Sequence, residues 1–161
     1  MHLSTLRDAI SQFEHAIRTI TKVECAEWIP SIDARWLDQR GGAIHGRFGV
    51  YVYATQDGEV IYIGKAQETA FNHRVWAHLR KPCREREQSL DRVGLRLYPQ
   101  HEWRNVDESL ATITNVVERG EVTIEALELR PSYVAGLFEC FALTFCQLTE
   151  GRLPPFNRKL G

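Results

Sequence analysis

Two short runs rich in Val, Ile and Tyr, residues 48–54 and 59–64, are separated by Thr55-Gln56-Asp57-Gly58. Asp-Gly marks a tight turn because both residues accept positive φ at low cost, while β-branched and aromatic side chains suit a pleated surface. An antiparallel hairpin is expected here, and the rest of the chain has to cover it. With 161 residues there is length for one well-buried core and not for two. Residues 1–47 are read as an N-terminal helical extension packed on or beside that core, and residues 48–161 as the main domain.

The covering elements follow from periodicity. Leu3, Leu6, Ile10, Phe13, Ile17 and Ile20 recur at spacings of three and four, which predicts an amphipathic helix over residues 3–21. Pro30 and Gly41-Gly42 then interrupt the chain before the hairpin. Residues 71–80 are expected to form a short helix that ends before Pro82, and residues 81–88 a charged loop. The alternation in residues 92–98 predicts a third strand, and residues 105–119 a helix stopped by Gly120. Residues 121–130 read as a further short helix. Beyond Pro131, residues 132–148 form a long apolar helix that stops near Gly151 and is too short and too polar for a convincing membrane span.

That last helix carries an anomaly. Glu139 is the lone acid within residues 132–148, and the positions three and four away are Ala135, Gly136, Ala142 and Leu143. A carboxylate on such a face costs several kcal/mol if it is left unpaired, so an arginine, another cation or a divalent metal is expected beside it. The hairpin carries a second anomaly. Tyr51 and Tyr62 fall near corresponding ends of the two strands, with Gly49 and Gly64 beside them, so their hydroxyls can share one cleft that a backbone or phosphate approaches closely.

Gly49-Val50-Tyr51, Tyr62-Ile63-Gly64, Lys65-Ala66, Arg74 with His78 one turn later, Glu139, and Leu153-Pro154-Pro155-Phe156-Asn157 occur in an order that resembles the GIY-YIG nuclease superfamily. The resemblance spans about residues 48–158. It implies a small α/β domain, a three-stranded antiparallel sheet flanked by helices, here with an added N-terminal helix. It also implies a metal-dependent DNA endonuclease in which Glu139 binds one Mg²⁺ or Mn²⁺, with Glu128 or Glu125 as alternative ligands. Arg74 would neutralise phosphate charge, and Tyr51 or His78 would act as general base. Tyr62 and Lys65 would support by hydrogen bonding or proton transfer. Gly49, Gly64 and Asn157 would be structural supports, Asn157 tying the C-terminal segment to the hairpin. A non-catalytic DNA-binding module, or an interaction domain in which Arg74 simply neutralises Glu139, are the alternatives.

The formal net charge of −1 is low for a DNA-binding protein, but it is unevenly spread. Residues 72–104 hold eight Arg or Lys against four Asp or Glu, residues 105–150 two against eight, and residues 151–161 three against none. A basic face from the middle and end of the chain is therefore expected to meet DNA, and a homodimer would be needed for concerted cutting of both strands. Cys25, Cys83, Cys140 and Cys146 form no CxxC pair, which argues against a zinc cluster. With no basic-then-apolar leader at the N-terminus, a cytoplasmic protein without a membrane partner is expected.

Overall fold

The computed structural model describes residues 1–21, 23–30, 44–71, 74–75 and 122–157. Helix α1 (Leu3–Arg18) leads into strand β1 (Glu24–Ile29), followed by β2 (Gly49–Thr55), β3 (Val60–Ala66) and β4 (Val122–Arg130). A single 3₁₀ turn, Ser132–Val134, opens directly into helix α2 (Ala135–Glu150).

The strands form one antiparallel sheet in the order β1-β4-β2-β3. The expectation of a three-stranded, GIY-YIG-like sheet is thereby corrected: among the described residues the sheet has four strands, and two of them were not anticipated. Residues 122–130, expected to be helical, are β4, which lies between β1 and β2. Helical spacing in Ala126-Leu127-Glu128-Leu129 is overridden because the strand is buried on both faces. Ile124 and Ala126 join one apolar cluster while Leu127 and Leu129 join the other. Its two glutamates are each neutralised by arginine. Arg7 of α1 bonds Glu125, and Arg47 and Arg130 approach Glu128 at 3.3 and 2.8 Å. The other addition, β1, comes from the N-terminal segment and pairs with β4 through a register shift between Cys25 and Trp28. The strand expected over residues 92–98 and the helix over residues 105–119 lie outside the described residues, as does most of the helix expected over residues 71–80.

Strand β2 is buried along its whole length, because alternate side chains enter opposite layers. Val50 and Val52 pack with Leu6 and Ile10 of α1 and Phe138 and Ala142 of α2. Tyr51 and Tyr53 point to the other face, with Ile61, Phe71, Ile124 and Phe156. Phe13 joins the two helices, stacking on Phe141 at 4.0 Å between ring centroids and meeting Phe138 edge-on at 5.1 Å. By length and hydropathy alone Ser132–Glu150 could cross a bilayer, with a mean hydropathy of 1.2. In the fold its Ala135, Phe138, Ala142, Leu143 and Cys146 are core residues.

Among the described residues strand β3 is the sheet edge opposite β1, and the C-terminal segment closes it. Phe156 donates its backbone N–H to Ile61 O at 3.0 Å. Asn157 Oδ1 accepts from Ile63 N at 2.9 Å, and its Nδ2 donates to Ile63 O at 2.8 Å. One buried amide thus satisfies both outward-facing backbone groups of an edge-strand residue.

Candidate functional site

The β2–β3 register sets Tyr51 opposite Gly64 and Tyr53 opposite Tyr62. Three tyrosine rings therefore gather, with centroids 5.8 Å (Tyr51–Tyr53), 5.5 Å (Tyr53–Tyr62) and 6.0 Å (Tyr51–Tyr62) apart. Phe71 meets Tyr51 edge-on at 6.2 Å. Glycine at 64 is what admits the Tyr51 ring. A Cβ there would stand 2.6 Å from both Cζ and Oη of Tyr51 and 2.8 Å from Cε1 of Tyr62. Gly49 has a φ of 148°, and a Cβ would run into Leu127 O, so its role is the close approach of β2 to β4.

Tyr51 is wholly buried and donates its hydroxyl hydrogen to Tyr62, which is only partly covered. Burial dominates both phenols. It holds Tyr51 well above the ordinary tyrosine value; Tyr62 and Tyr53 raise it further, and Arg74 only partly offsets them. Tyr62 is also raised, first by burial, yet the hydrogen bond it accepts from Tyr51 pulls down, Glu139 pushes up and Arg74 pulls down. The two tyrosines thus form an ordered pair: a buried donor, Tyr51, behind an accepting Tyr62 that feels both Glu139 and Arg74.

From the other layer, α2 brings Glu139 to the same strand. Its carboxylate is 12% exposed, and Oε2 lies 2.9 Å from Lys65 Nζ. The cation beside Glu139 is therefore Lys65, where sequence reasoning had considered Arg74. Arg74, exposed on the helical turn after Phe71, lines an open cleft of about 220 Å³ together with Lys65, Ala66, Gln67, Glu68 and Thr69. The alternative acids do not approach the tyrosines in this way. Glu125 is bound under α1 by Arg7, and Glu128 is held by Arg47 and Arg130. His78 lies outside the described residues.

Tyr53, Gln67 and Thr69 were missed by the sequence reading. Tyr53 shares a strand face with Tyr51, and the two-residue period was enough to place it there. Gln67 and Thr69 stand in the irregular segment after β3, where no periodicity marks their direction.

Among the described residues, no three His, Cys, Asp or Glu side chains are grouped to hold a metal ion. One half-buried carboxylate does not suit zinc, which takes three or four protein ligands. It does suit Mg²⁺ or Mn²⁺, hard ions commonly held by one or two carboxylates plus water and phosphate oxygens. Glu139 would be that ligand. No protein-family model, curated protein or solved structure matches the chain.

Proposed function

We propose that the chain is a divalent-metal-dependent endonuclease that hydrolyses DNA phosphodiester bonds at the cleft beside β3. The observation that carries this reading is the convergence, at one edge strand, of the Glu139–Lys65 pair, Arg74 and the hydrogen-bonded Tyr51–Tyr62 pair. Packing alone does not require a carboxylate–ammonium pair and a polar phenol pair on the strand beside a cleft that Lys65 and Arg74 line. The ordered motifs that resemble GIY-YIG nucleases point the same way, although the sheet does not follow that pattern.

In this reading Arg74 and Lys65 bind the non-bridging phosphate oxygens, Arg74 through its fork of donors and Lys65 as a point charge. Tyr62 is the phenol placed to orient the attacking water. Tyr51 donates to it from behind, stabilising negative charge on Tyr62 Oη as a proton leaves. Tyr51 itself, buried and raised furthest, is poorly suited to act as a base. His78 is retained as the alternative general base. Held by Glu139, a Mg²⁺ or Mn²⁺ ion would supply Lewis-acid stabilisation of the charge that develops in the reaction. One centre cuts one strand, so a homodimer or sequential nicks would break a duplex. A cytoplasmic protein acting on DNA without a membrane partner remains the proposal.

The Lys65–Glu139 ion pair also favours a second reading, an interaction or DNA-binding domain whose carboxylate is neutralised purely for stability. Plasmid nicking separates the two. The nuclease reading expects nicking in Mg²⁺ or Mn²⁺ that is abolished by EDTA and by Glu139→Gln. Metal-independent DNA binding without nicking supports the second reading.

A further inference from the structure

The Lys65–Glu139 pair has the form of an exchangeable cation site. Glu139 is 12% exposed, with Ala135, Ala142 and Leu143 of α2 buried around it, a setting that favours a cation beside the carboxylate. Lys65 Nζ lies 2.9 Å from Glu139 Oε2, and its side chain is 37% exposed. An arginine fork could grip both oxygens, whereas an ammonium on a flexible stem holds one and leaves by rotation.

Gly136, one turn before Glu139, lets the Gln67 and Lys65 side chains lie close over α2: a Cβ there would stand 3.1 Å from Gln67 Oε1 and 3.7 Å from Lys65 Nζ. Lys65 also lines the cleft with Arg74, where a bound phosphate would offer the ammonium a second partner. A divalent ion on Glu139 and an ammonium on the same carboxylate would repel each other at short range.

We infer that Lys65 and the divalent metal compete for Glu139. Lys65 neutralises the carboxylate in the free protein, and when metal takes its place the ammonium turns into the cleft toward a phosphate oxygen. Lys65 thus lowers metal affinity until an anion is present to receive its ammonium. The inference rests on the nuclease reading in one respect, that Glu139 binds the metal.

The test is Mn²⁺ binding to the full chain, followed by the electron paramagnetic resonance signal of free Mn²⁺, with thermal unfolding in EDTA and in Mn²⁺. Lys65→Met is expected to bind Mn²⁺ about tenfold more tightly than the wild type, and Glu139→Gln to lose the site. Lys65→Met should also melt lower than the wild type in EDTA and recover in Mn²⁺, a metal-dependent rescue that a purely structural lysine does not give. Lys65→Arg, which keeps the charge and the fold, should bind Mn²⁺ more weakly than the wild type. If Glu139→Gln abolishes binding while neither lysine variant changes it, the exchange is overturned and the metal ligand stands. If Glu139→Gln leaves binding unchanged, or no protein binds Mn²⁺ saturably, the inference and the metal reading fall together.

Discussion

Replacing Asn157 by Ala removes the clamp on β3 and has a magnitude that can be worked from its two bonds. Asn157 accepts from Ile63 N at 2.9 Å and donates to Ile63 O at 2.8 Å. Each bond contributes about 1 kcal/mol net, and a buried backbone group left without a partner costs about 1–3 kcal/mol. Because β3 is an edge strand, water can reach part of the vacated space, which places the total at about 2–4 kcal/mol. For a domain of this size that lowers Tm by roughly 5–12 °C. Urea unfolding monitored by tryptophan fluorescence should show the midpoint falling with the slope unchanged. Asn157→Asp is the sharper companion. It keeps an acceptor for Ile63 N but turns a carboxylate oxygen toward Ile63 O, so near pH 7 it should be no more stable than Asn157→Ala. Its pKa should be raised in the fold above the unfolded value of about 3.9, because only the protonated acid can donate to Ile63 O. Stability should therefore be recovered below about pH 4 and lost as pH rises through the folded value. An Asn157→Ala loss under about 0.5 kcal/mol, or an Asp variant as stable as the wild type at pH 7, refutes the two-bond reasoning.

Other consequences follow from the buried pairs and phenols. Burial raises Tyr51 and Tyr53 well above 10, so their stabilising contribution is complete below the unfolded value near 10 and is lost as pH rises toward the folded values. Unfolding free energy should fall above pH 10 by about 1.4 kcal/mol per pH unit for each phenol, and Tyr51→Phe should flatten the slope. Gly64→Ala should separate the Tyr51 and Tyr62 rings and reduce nicking far more than it reduces Tm, as measured on the same preparation. Arg7→Ala strands Glu125 and should cost about 2–3 kcal/mol in chemical denaturation, the low end reflecting the partial exposure of Arg7, whereas Arg7→Met with Glu125→Leu should recover most of it. The thiol of Cys146, buried and pushed up to about 11, should resist iodoacetamide at pH 8 while exposed Cys140 is alkylated, as read by peptide mass spectrometry.

What could be read in the sequence was local. Asp57-Gly58 and the flanking alternation announce the β2–β3 hairpin, the apolar stripe announces α1, and Pro131 with Gly151 brackets the turn and helix that carry Glu139. The elements that escaped are those settled by distant partners. Strand β4 has glutamates at helical spacing, and only Arg7, Arg47 and Arg130, from elsewhere in the sequence or from the strand end, make them compatible with a buried strand. In β1 the register shift between Cys25 and Trp28 breaks the two-residue alternation that would have marked it. At the site, motif order singles out Tyr51, Tyr62, Lys65, Arg74 and Glu139. It does not show that Tyr51 donates to Tyr62, or that Glu139 pairs with Lys65, because those choices depend on side-chain geometry across strand and helix.

If the cleft beside β3 cuts DNA as proposed, and does more than hold it, cutting and binding separate when plasmid nicking and gel-shift binding are measured side by side for the wild type, Tyr62→Phe, Arg74→Ala and Glu139→Gln in Mn²⁺. Tyr62→Phe and Glu139→Gln should retain DNA binding within a few-fold while losing at least about a hundredfold in nicking, with Arg74→Ala weakened in both. Nicking that survives in Glu139→Gln and Tyr62→Phe, or binding and nicking that fall together in all three variants, would contradict the nuclease reading.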